Sequence, residues 1–190
     1  MSIPSDAGSW LLPTARTAIE EALSTRHDDS SSSGIPEWAA APGACFVTLT
    51  VRGRRPEKLR GCIGSLQPWR PLDADVRGNA AAAATRDPRF PAVRPAELAG
   101  LQIEVSVLSE TTPIPFTDQE DLRSQLRPRI DGLVLSWDGH RGTFLPQVWD
   151  QIPEPGAFLD QLKRKAGLPV SWWSEDAVVE RYTVRAWEER

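Results

Sequence analysis

The sequence predicts an α+β fold with a mostly antiparallel sheet. Runs in which apolar and polar residues alternate occur in both halves of the 190-residue chain, and segments with helical spacing accompany them in each half. A polar loop over 26–34 follows a single helix, which cannot bury a core alone. We therefore expect one domain over 1–190, with 26–34 as a flexible loop inside it.

Four segments have the spacing and the end signals of helices. The first carries an apolar stripe, with Ser9 as its N-cap. The second begins with acidic residues, which suit the positive end of a helix, and it stops before Asp87-Pro88. Gly167 ends the last helix. The predicted helices are 9–24, 72–85, 118–126 and 156–165.

Six segments have the alternation that is typical of strands. They are 45–52, 58–64, 101–108, 132–137, 141–144 and 178–187. Asp138-Gly139 lies between two of them and is a strong hairpin signal. Strands with short connections in both halves favour antiparallel pairing.

The pairing of the first two strands follows from their residue patterns. If paired residue numbers sum to 110, Leu49 faces Gly61 within the apolar set, and Thr48 faces Cys62 within the polar set. Arg60 then shares the face of Cys62. A slip of one residue would mix the two sets, so the pattern itself supports this register.

Composition excludes several classes of site. The net charge of −4 argues against a general nucleic-acid binder. Residues 52–94 nevertheless carry ten basic and four acidic side chains, which suits either a small anionic ligand or a solvated face. Cys45 and Cys62 are too few for a four-cysteine zinc site and lie out of register for a disulfide. With His27 and His140 as the only histidines, we expect no tightly bound metal.

The chain also lacks the usual localisation and cofactor signals. No apolar stretch approaches the roughly 18 residues that cross a bilayer. The N-terminus lacks the basic start and the apolar run of a secretory signal, so we expect a cytoplasmic protein. The phosphate-binding, dinucleotide-binding, serine-nucleophile and radical-SAM cysteine motifs are absent from the sequence, and we expect no cofactor.

The segment LRGCIG at 59–64 is the strongest candidate for a chemical site. A cysteine between two glycines has little side-chain shielding, and a guanidinium on the same face, here that of Arg60, favours the reactive thiolate of Cys62. The alternative is a small buried cysteine in a strand whose glycines permit tight packing.

Further candidates lie on the polar faces of other strands. Polar residues of 101–108 can line one cleft with the polar residues of 45–52 and 58–64, although an antiparallel sheet commonly wets one face without any function. A histidine beside the predicted hairpin can act as a general base, although such a residue is more often only solvated. The candidate catalytic residues are Cys62, Arg60, Glu104 and His140, and the candidate ligand-binding residues are Thr48, Ser106, Arg141 and Thr143.

Six segments together resemble the AMMECR-type domain, also called the AmmeMemoRadiSam system protein A family. They are LRGCIG at 59–64, DPRF at 87–90, EVSVLS at 104–109, DGLVL at 131–135, RGTFLPQVW at 141–149 and KAGLP at 165–169. The resemblance runs from about residue 10 to residue 188. It implies an α+β fold with a barrel-like sheet and two related β-and-α halves, and it places the suspected site at Arg60–Gly64.

Three functions remain open on the sequence. The first is an enzyme, or the catalytic accessory of one, with a Cys62 and Arg60 site. The resemblance implies that it works alongside Memo-type and radical-SAM proteins. The second is a non-catalytic module that docks onto such partners, because arginine and tryptophan are favoured at interfaces. RNA binding is the third and weaker alternative, since the basic middle is modest and most aromatic residues lie elsewhere.

Overall fold

The computed structural model describes residues 3–23, 34–53 and 58–189. The predicted loop over 26–34 lies outside the described residues except for Gly34. The chain divides into two units, one formed by Met1–Leu108 with Arg185–Arg190 and the other by Ser109–Val184. The organisation as one domain stays a prediction.

Helices and strands occur in both units. The α-helices are α1 (Gly8–Leu23), α2 (Glu37–Ala40), α3 (Leu72–Thr85), α4 (Gln119–Gln125) and α5 (Pro155–Lys165). The strands are β1 (Pro42–Gly43), β2 (Cys45–Val51), β3 (Lys58–Gly64), β4 (Arg70–Pro71), β5 (Leu101–Leu108), β6 (Thr112–Pro113), β7 (Gly132–Trp137), β8 (His140–Phe144), β9 (Val178–Tyr182) and β10 (Val184–Glu188). Helices with antiparallel strand pairs in each unit confirm the predicted α+β class.

The first unit contains a four-stranded sheet with the strand order β10-β5-β2-β3, so β3 lies at an edge. Strand β2 pairs antiparallel with β3 and with β5. The apolar residues of these strands pack with α1 and α3 in one core, because alternate side chains of a strand point to the same face. Fully buried members are Leu11, Ile19, Val47, Leu49, Leu72, Val76, Ile103 and Val105.

The predicted register of β2 and β3 is confirmed over half of its length and wrong over the rest. Thr48 faces Cys62 and Leu49 faces Gly61, as the patterns require. Thr50 then faces Leu59, because the register shifts after Leu49 and leaves Arg60 as an extra residue. Such a β-bulge bends the strand and re-aims a side chain. The alternation of apolar and polar residues continues through it, so the sequence did not reveal it.

The two long helices of this unit begin close to their predicted positions. Helix α3 has the predicted bounds. Helix α1 begins at Gly8, so Ser9 lies inside the helix, and its hydroxyl donates to the carbonyl of Asp6 at 2.8 Å. The prediction that Ser9 is the N-cap is therefore wrong. A serine hydroxyl can donate as well as accept, and here it bonds to a carbonyl outside the helix.

A buried carboxylate ties α3 to the start of β2. Asp75 is fully buried and accepts hydrogen bonds from the Cys45 amide at 2.8 Å, the Ser65 hydroxyl at 2.7 Å and the Arg70 guanidinium at 2.8 Å. Asn79 donates a further bond at 3.0 Å. A buried charge is tolerated when donors surround it in this way. This network fixes the strand that carries Thr48.

The second unit has its own four-stranded sheet, with the order β6-β9-β7-β8. Asp138 and Gly139 have positive φ values of 42° and 79°, which confirms the predicted two-residue hairpin turn.

In the core of the second unit, the ring of Trp149 stacks on that of Phe158, with ring centres 3.6 Å apart, and its indole N–H donates to the carbonyl of Asp131 at 2.7 Å. The fully buried Asp131 carboxylate accepts from Arg127 at 2.6 Å.

The prediction of one continuous strand over 178–187 is wrong. The segment forms two strands, β9 and β10, which meet at Thr183 and belong to different sheets. The Thr183 amide donates to the Ser109 hydroxyl at 3.0 Å and its carbonyl accepts from the Ser109 amide at 2.9 Å. These bonds replace ladder bonds at the point where the chain leaves one sheet for the other.

Candidate functional site

A row of polar side chains crosses three neighbouring strands of the first unit. Thr48 on β2 faces Cys62 on β3 and, on its other side, Glu104 on β5. Directly paired residues have Cβ atoms about 4.5–5.5 Å apart, and strands lie about 4.8 Å apart. Cys62 and Glu104 are therefore separated by roughly 10 Å. A small molecule can span that distance over Thr48.

Hydrogen bonds link the members of this row in pairs. The Thr48 hydroxyl donates to the Cys62 sulfur at 3.3 Å. The Ser106 hydroxyl donates to the Glu104 carboxylate at 2.9 Å. Cys62, Thr48 and Glu104 are half-buried, whereas Ser106 is buried. A hydroxyl in this position can orient the sulfur and support the charge that develops as the sulfur reacts.

The two cysteines occupy different environments, and both are free thiols as predicted. Cys45 is fully buried in the core, and this burial raises the pKa of its thiol well above the usual value. Cys62 lies on the edge strand and is partly exposed. Only Cys62 combines exposure with a hydroxyl that bonds to its sulfur from the facing strand.

An ion pair from outside the sheet binds the free edge of β3 at Cys62. The Cys62 amide donates to the Asp87 carboxylate at 2.8 Å, and Arg89 donates to the Cys62 carbonyl at 3.2 Å. Arg89 also donates to Asp87 through Nε at 3.0 Å and through Nη2 at 2.7 Å. The guanidinium of Arg89, together with the Cys62 amide, holds the pKa of Asp87 far below its usual range.

Asp87 and Arg89 were not among the residues that sequence reasoning selected for the site. Asp87-Pro88 was recognised only as a helix stop, and DPRF at 87–90 only as part of the family resemblance. The available signal for this ion pair was an acidic and a basic residue directly after a helix that packs on a sheet. An unpaired strand edge needs hydrogen-bond partners, and these two side chains supply them.

Arg60 lies at the bulge of β3 and contacts the segment that follows α3. Its guanidinium bonds to the carbonyl of Pro91 at 2.9 Å, the carbonyl of Ala92 at 3.3 Å and the Glu97 carboxylate at 3.2 Å. Its side chain is only 13% exposed. Within the described part of the chain, the Arg60 side chain has hydrogen bonds to these three residues only. The proposed stabilisation of the Cys62 thiolate by Arg60 stays a prediction.

His140, Arg141 and Thr143 lie on β8 in the second unit. His140 Nδ1 is 3.0 Å from the carbonyl of Ala166, which can only accept, so Nδ1 carries the proton. Arg141 donates to the Ser136 hydroxyl at 3.2 Å. Together with Trp137, His140 and Arg141 line a shallow cavity of about 380 Å³ at the hairpin.

Thr143 belongs to a separate hydrogen-bond chain in this unit. The Tyr182 hydroxyl donates to the carbonyl of Phe144 at 3.1 Å, so the Thr143 hydroxyl, at 3.2 Å from the Tyr182 oxygen, is the donor between the two. Burial raises the pKa of Tyr182. The structure therefore places Thr48, Cys62, Glu104 and Ser106 in one row of the first unit, and the three β8 candidates in the second.

Residues 3–23, 34–53 and 58–189 contain neither a cluster of metal-binding side chains nor a membrane-spanning helix. No group of three or more His, Cys, Asp or Glu side chains there can hold a metal ion. No helix in the same ranges is long and apolar enough to span a bilayer.

The chain was compared with known protein families and solved structures. The model of the AMMECR1 family matches residues 12–187. The chain belongs to the AMMECR1 family. This confirms the resemblance that LRGCIG, DPRF and the four other segments indicated. Membership assigns no reaction, because fold and family do not by themselves determine chemistry.

Relatives of this AMMECR1 protein occur among archaea. A protein of Methanothermobacter thermautotrophicus is 39% identical over 167 residues, which cover 86% of this chain and 84% of that protein. A protein of Thermofilum pendens is 36% identical over 180 residues, covering 90% and 84%. The crystal structure of an uncharacterised protein from Pyrococcus horikoshii matches with a TM-score of 0.81 at 34% identity, covering 98% of this chain and 93% of that one.

Proposed function

We propose that this AMMECR1 protein is a thiol-dependent enzyme, or the catalytic accessory of one, with Cys62 as its nucleophile. The observation that supports this most directly is the 3.3 Å hydrogen bond from the Thr48 hydroxyl to the sulfur of a half-buried cysteine. Glu104 lies in the same row and is oriented by Ser106. A nucleophile, a donor that supports it and a carboxylate within reach of one ligand form the set that thiol chemistry needs.

The proposed step uses Cys62, Thr48 and Glu104. The Cys62 sulfur attacks an electrophilic carbon, so an S–C bond forms as the bond to the leaving group breaks and that group takes the bonding electron pair. The thiol proton passes to the Glu104 carboxylate through a water molecule or the bound substrate, because the two side chains are roughly 10 Å apart and the Thr48 hydroxyl donates to the sulfur. Water or a second substrate then displaces the sulfur and restores the thiol.

The proposed setting of this activity comes from the family resemblance. The AmmeMemoRadiSam system protein A family is associated with Memo-type and radical-SAM proteins, and we propose that this chain works alongside such partners. Neither type of partner is needed to test the thiol itself. The chemistry at Cys62 and the choice of partner are therefore separate experiments.

The reactivity of Cys62 tests the enzyme proposal. Alkylation by iodoacetamide, followed by peptide mass spectrometry, should label Cys62 faster than glutathione at neutral pH, and should leave the buried Cys45 unlabelled in the folded chain. Thr48→Val removes the donor to sulfur and should slow the alkylation of Cys62 by about fivefold, because one hydrogen bond contributes about 1 kcal/mol. Thr48→Ser keeps the hydroxyl and is the matched control. Labelling of Cys62 no faster than glutathione, and equal in all three chains, would contradict the proposal.

A second function, a non-catalytic docking module, is favoured by a different observation. Trp69 is 68% exposed and Leu66 is 42% exposed, and both lie in the segment between β3 and β4. The Arg70 guanidinium lies 4.4 Å from the centre of the Trp69 ring. Exposed tryptophans are enriched at the energetic centres of protein interfaces.

The docking alternative predicts a phenotype that the enzyme proposal does not. Trp69→Ala should leave stability and Cys62 labelling unchanged but should weaken binding to a purified Memo-type protein, measured by calorimetry. Ile35→Ala, at a residue that is 52% exposed in the same unit, is the control. Equal affinity of the wild-type chain and both variants would argue against a docking role for Trp69.

A further inference from the structure

The edge of β3 carries a cation beside the candidate nucleophile. Arg89 contacts the backbone of Cys62 directly, with Nη2 at 3.2 Å from its carbonyl oxygen. Its side chain is 53% exposed, whereas its partner Asp87 is 2% exposed. The ion pair is therefore oriented with its carboxylate inside the protein and its guanidinium at the surface, next to the residue that bears the thiol.

The contacts of Arg89 leave part of its hydrogen-bonding capacity for a ligand. A guanidinium has five N–H donors. Nε and one Nη2 hydrogen bond to Asp87, and the second Nη2 hydrogen serves the Cys62 carbonyl. Within the described residues Nη1 makes no hydrogen bond, and the guanidinium carbon lies 5.5 Å from the centre of the Phe90 ring. Each of its two N–H groups can donate a charge-assisted hydrogen bond to an oxygen of a carboxylate or a phosphate.

Asp87 fixes the guanidinium in place before any ligand arrives. It accepts from two nitrogens of the Arg89 side chain and also from the amides of Arg89 and Cys62, at 3.0 Å and 2.8 Å. A long side chain that is already immobilised loses little conformational entropy when it binds a ligand. The contacts with Asp87 raise the pKa of Arg89, so it stays cationic.

We propose that Arg89 binds an oxyanion, either a carboxylate or a phosphate, on the compound with which Cys62 reacts, and that Asp87 is its positioning residue. This inference rests on the proposed function of Cys62. It names the class of substrate as a small molecule that carries an electrophilic carbon near a negatively charged group. The excess of basic residues over 52–94 is consistent with such a ligand.

Two alkylating reagents of nearly equal size test the inference. Iodoacetate carries a carboxylate and iodoacetamide a neutral amide. The rate with iodoacetate divided by the rate with iodoacetamide, both at Cys62, therefore rises when a nearby cation binds the anionic reagent. We expect this ratio to be higher for the wild-type chain than for glutathione. Arg89→Gln should lower it by about two- to fivefold, the range that partly exposed charge pairs produce. Arg89→Lys, which keeps the charge, should retain part of the preference.

The control removes an equivalent arginine from another ion pair. Arg77 pairs with Asp73 at 2.9 Å within α3, and its side chain is 32% exposed. Arg77→Gln should leave the ratio at the wild-type value. If Arg77→Gln lowers the ratio as much as Arg89→Gln does, the preference comes from net charge and the inference is overturned.

The outcomes separate this inference from the proposed function. An unchanged ratio in folded Arg89→Gln, with iodoacetamide still reacting rapidly at Cys62, overturns the role of Arg89 and leaves the nucleophile intact. Slow reaction of wild-type Cys62 with both reagents overturns the proposed function. If Arg89→Gln does not fold, the effect of salt on the two alkylation rates of wild-type Cys62 tests the inference instead. Added NaCl should slow iodoacetate and not iodoacetamide at Cys62, and equal effects on both reagents overturn the inference.

Discussion

A side chain at Gly61 should destabilise the first unit, because this residue lies directly against the backbone of α3. A Cβ at Gly61 would overlap the carbonyl oxygen of Ala83 and lie 3.1 Å from its carbonyl carbon. Both atoms belong to the helix backbone and cannot rotate away, as a flexible side chain can. On β2, Leu49 is paired with Gly61 and fully buried, so a shift of β3 away from α3 would disturb its pairing with a core strand.

The expected cost of Gly61→Ala follows from this geometry. Adding one methyl group to a packed core costs about 1–3 kcal/mol, and overlap with helix backbone, which cannot rotate away, places Gly61 at the upper end. A loss of about 3 kcal/mol lowers the melting temperature of a chain of this size by about 6–12 °C. Gly61→Val adds two more carbons and should cost more.

Thermal and urea unfolding of three variants tests this reasoning. Gly100→Ala is the control, because a Cβ at Gly100 meets nothing within 4 Å. We expect Gly100→Ala to stay within about 0.5 kcal/mol of the wild-type chain, as surface substitutions generally do. If Gly61→Ala melts within a degree or two of the Gly100→Ala control, the close packing of β3 on α3 does not hold and the argument fails.

Two further predictions concern the contacts of Arg60. Arg60→Ala should lower the free energy of unfolding by about 2 kcal/mol in a urea titration, because it removes charge-assisted bonds to Glu97 and to two carbonyls. A change under about 0.5 kcal/mol would instead show that Arg60 is solvated. Hydrogen bonds from Arg60 lower the pKa of Glu97 to about 2, below an unfolded value of about 4.3. The stability that this carboxylate contributes is therefore complete above about pH 4.3 and is lost as the pH falls towards 2. Urea midpoints of Glu97→Gln should decline less over that range than those of the wild-type chain, and parallel curves would contradict the assignment.

Much of the fold was predictable because local patterns determine it. The alternation in 101–108 and the alanine-rich segment 72–85 gave element bounds that agree with the structure. The two residues of the Asp138-Gly139 turn adopt the positive φ values that their types favour. In each case the signal and the structure involve residues close together in the chain.

The polar row was predictable for the same reason, together with one pairing rule. The requirement that apolar residues share a face places Thr48 opposite Cys62, and the period of two then brings Glu104 and Ser106 to the same face of their own strand. The roles of these residues in catalysis stay predictions, because alternation is also what a wetted sheet face produces.

Tertiary structure alone decided what surrounds the row. The bulge at Arg60, the bonds from Asp87 and Arg89 to the edge of β3, and the change of sheet at Thr183 each depend on a partner distant in the sequence. A strand edge accepts any donor or acceptor that the fold brings to it. The sequence of β3 therefore does not specify which side chains bond to the backbone amide and carbonyl of Cys62. By itself the sequence determined which residues share a face in β2, in β5 and in the half of β3 from Gly61 to Gly64. The packing of α3 and the segment after it determined which cation lies beside the thiol, because hydrogen bonds at an open edge are formed by proximity rather than by pattern.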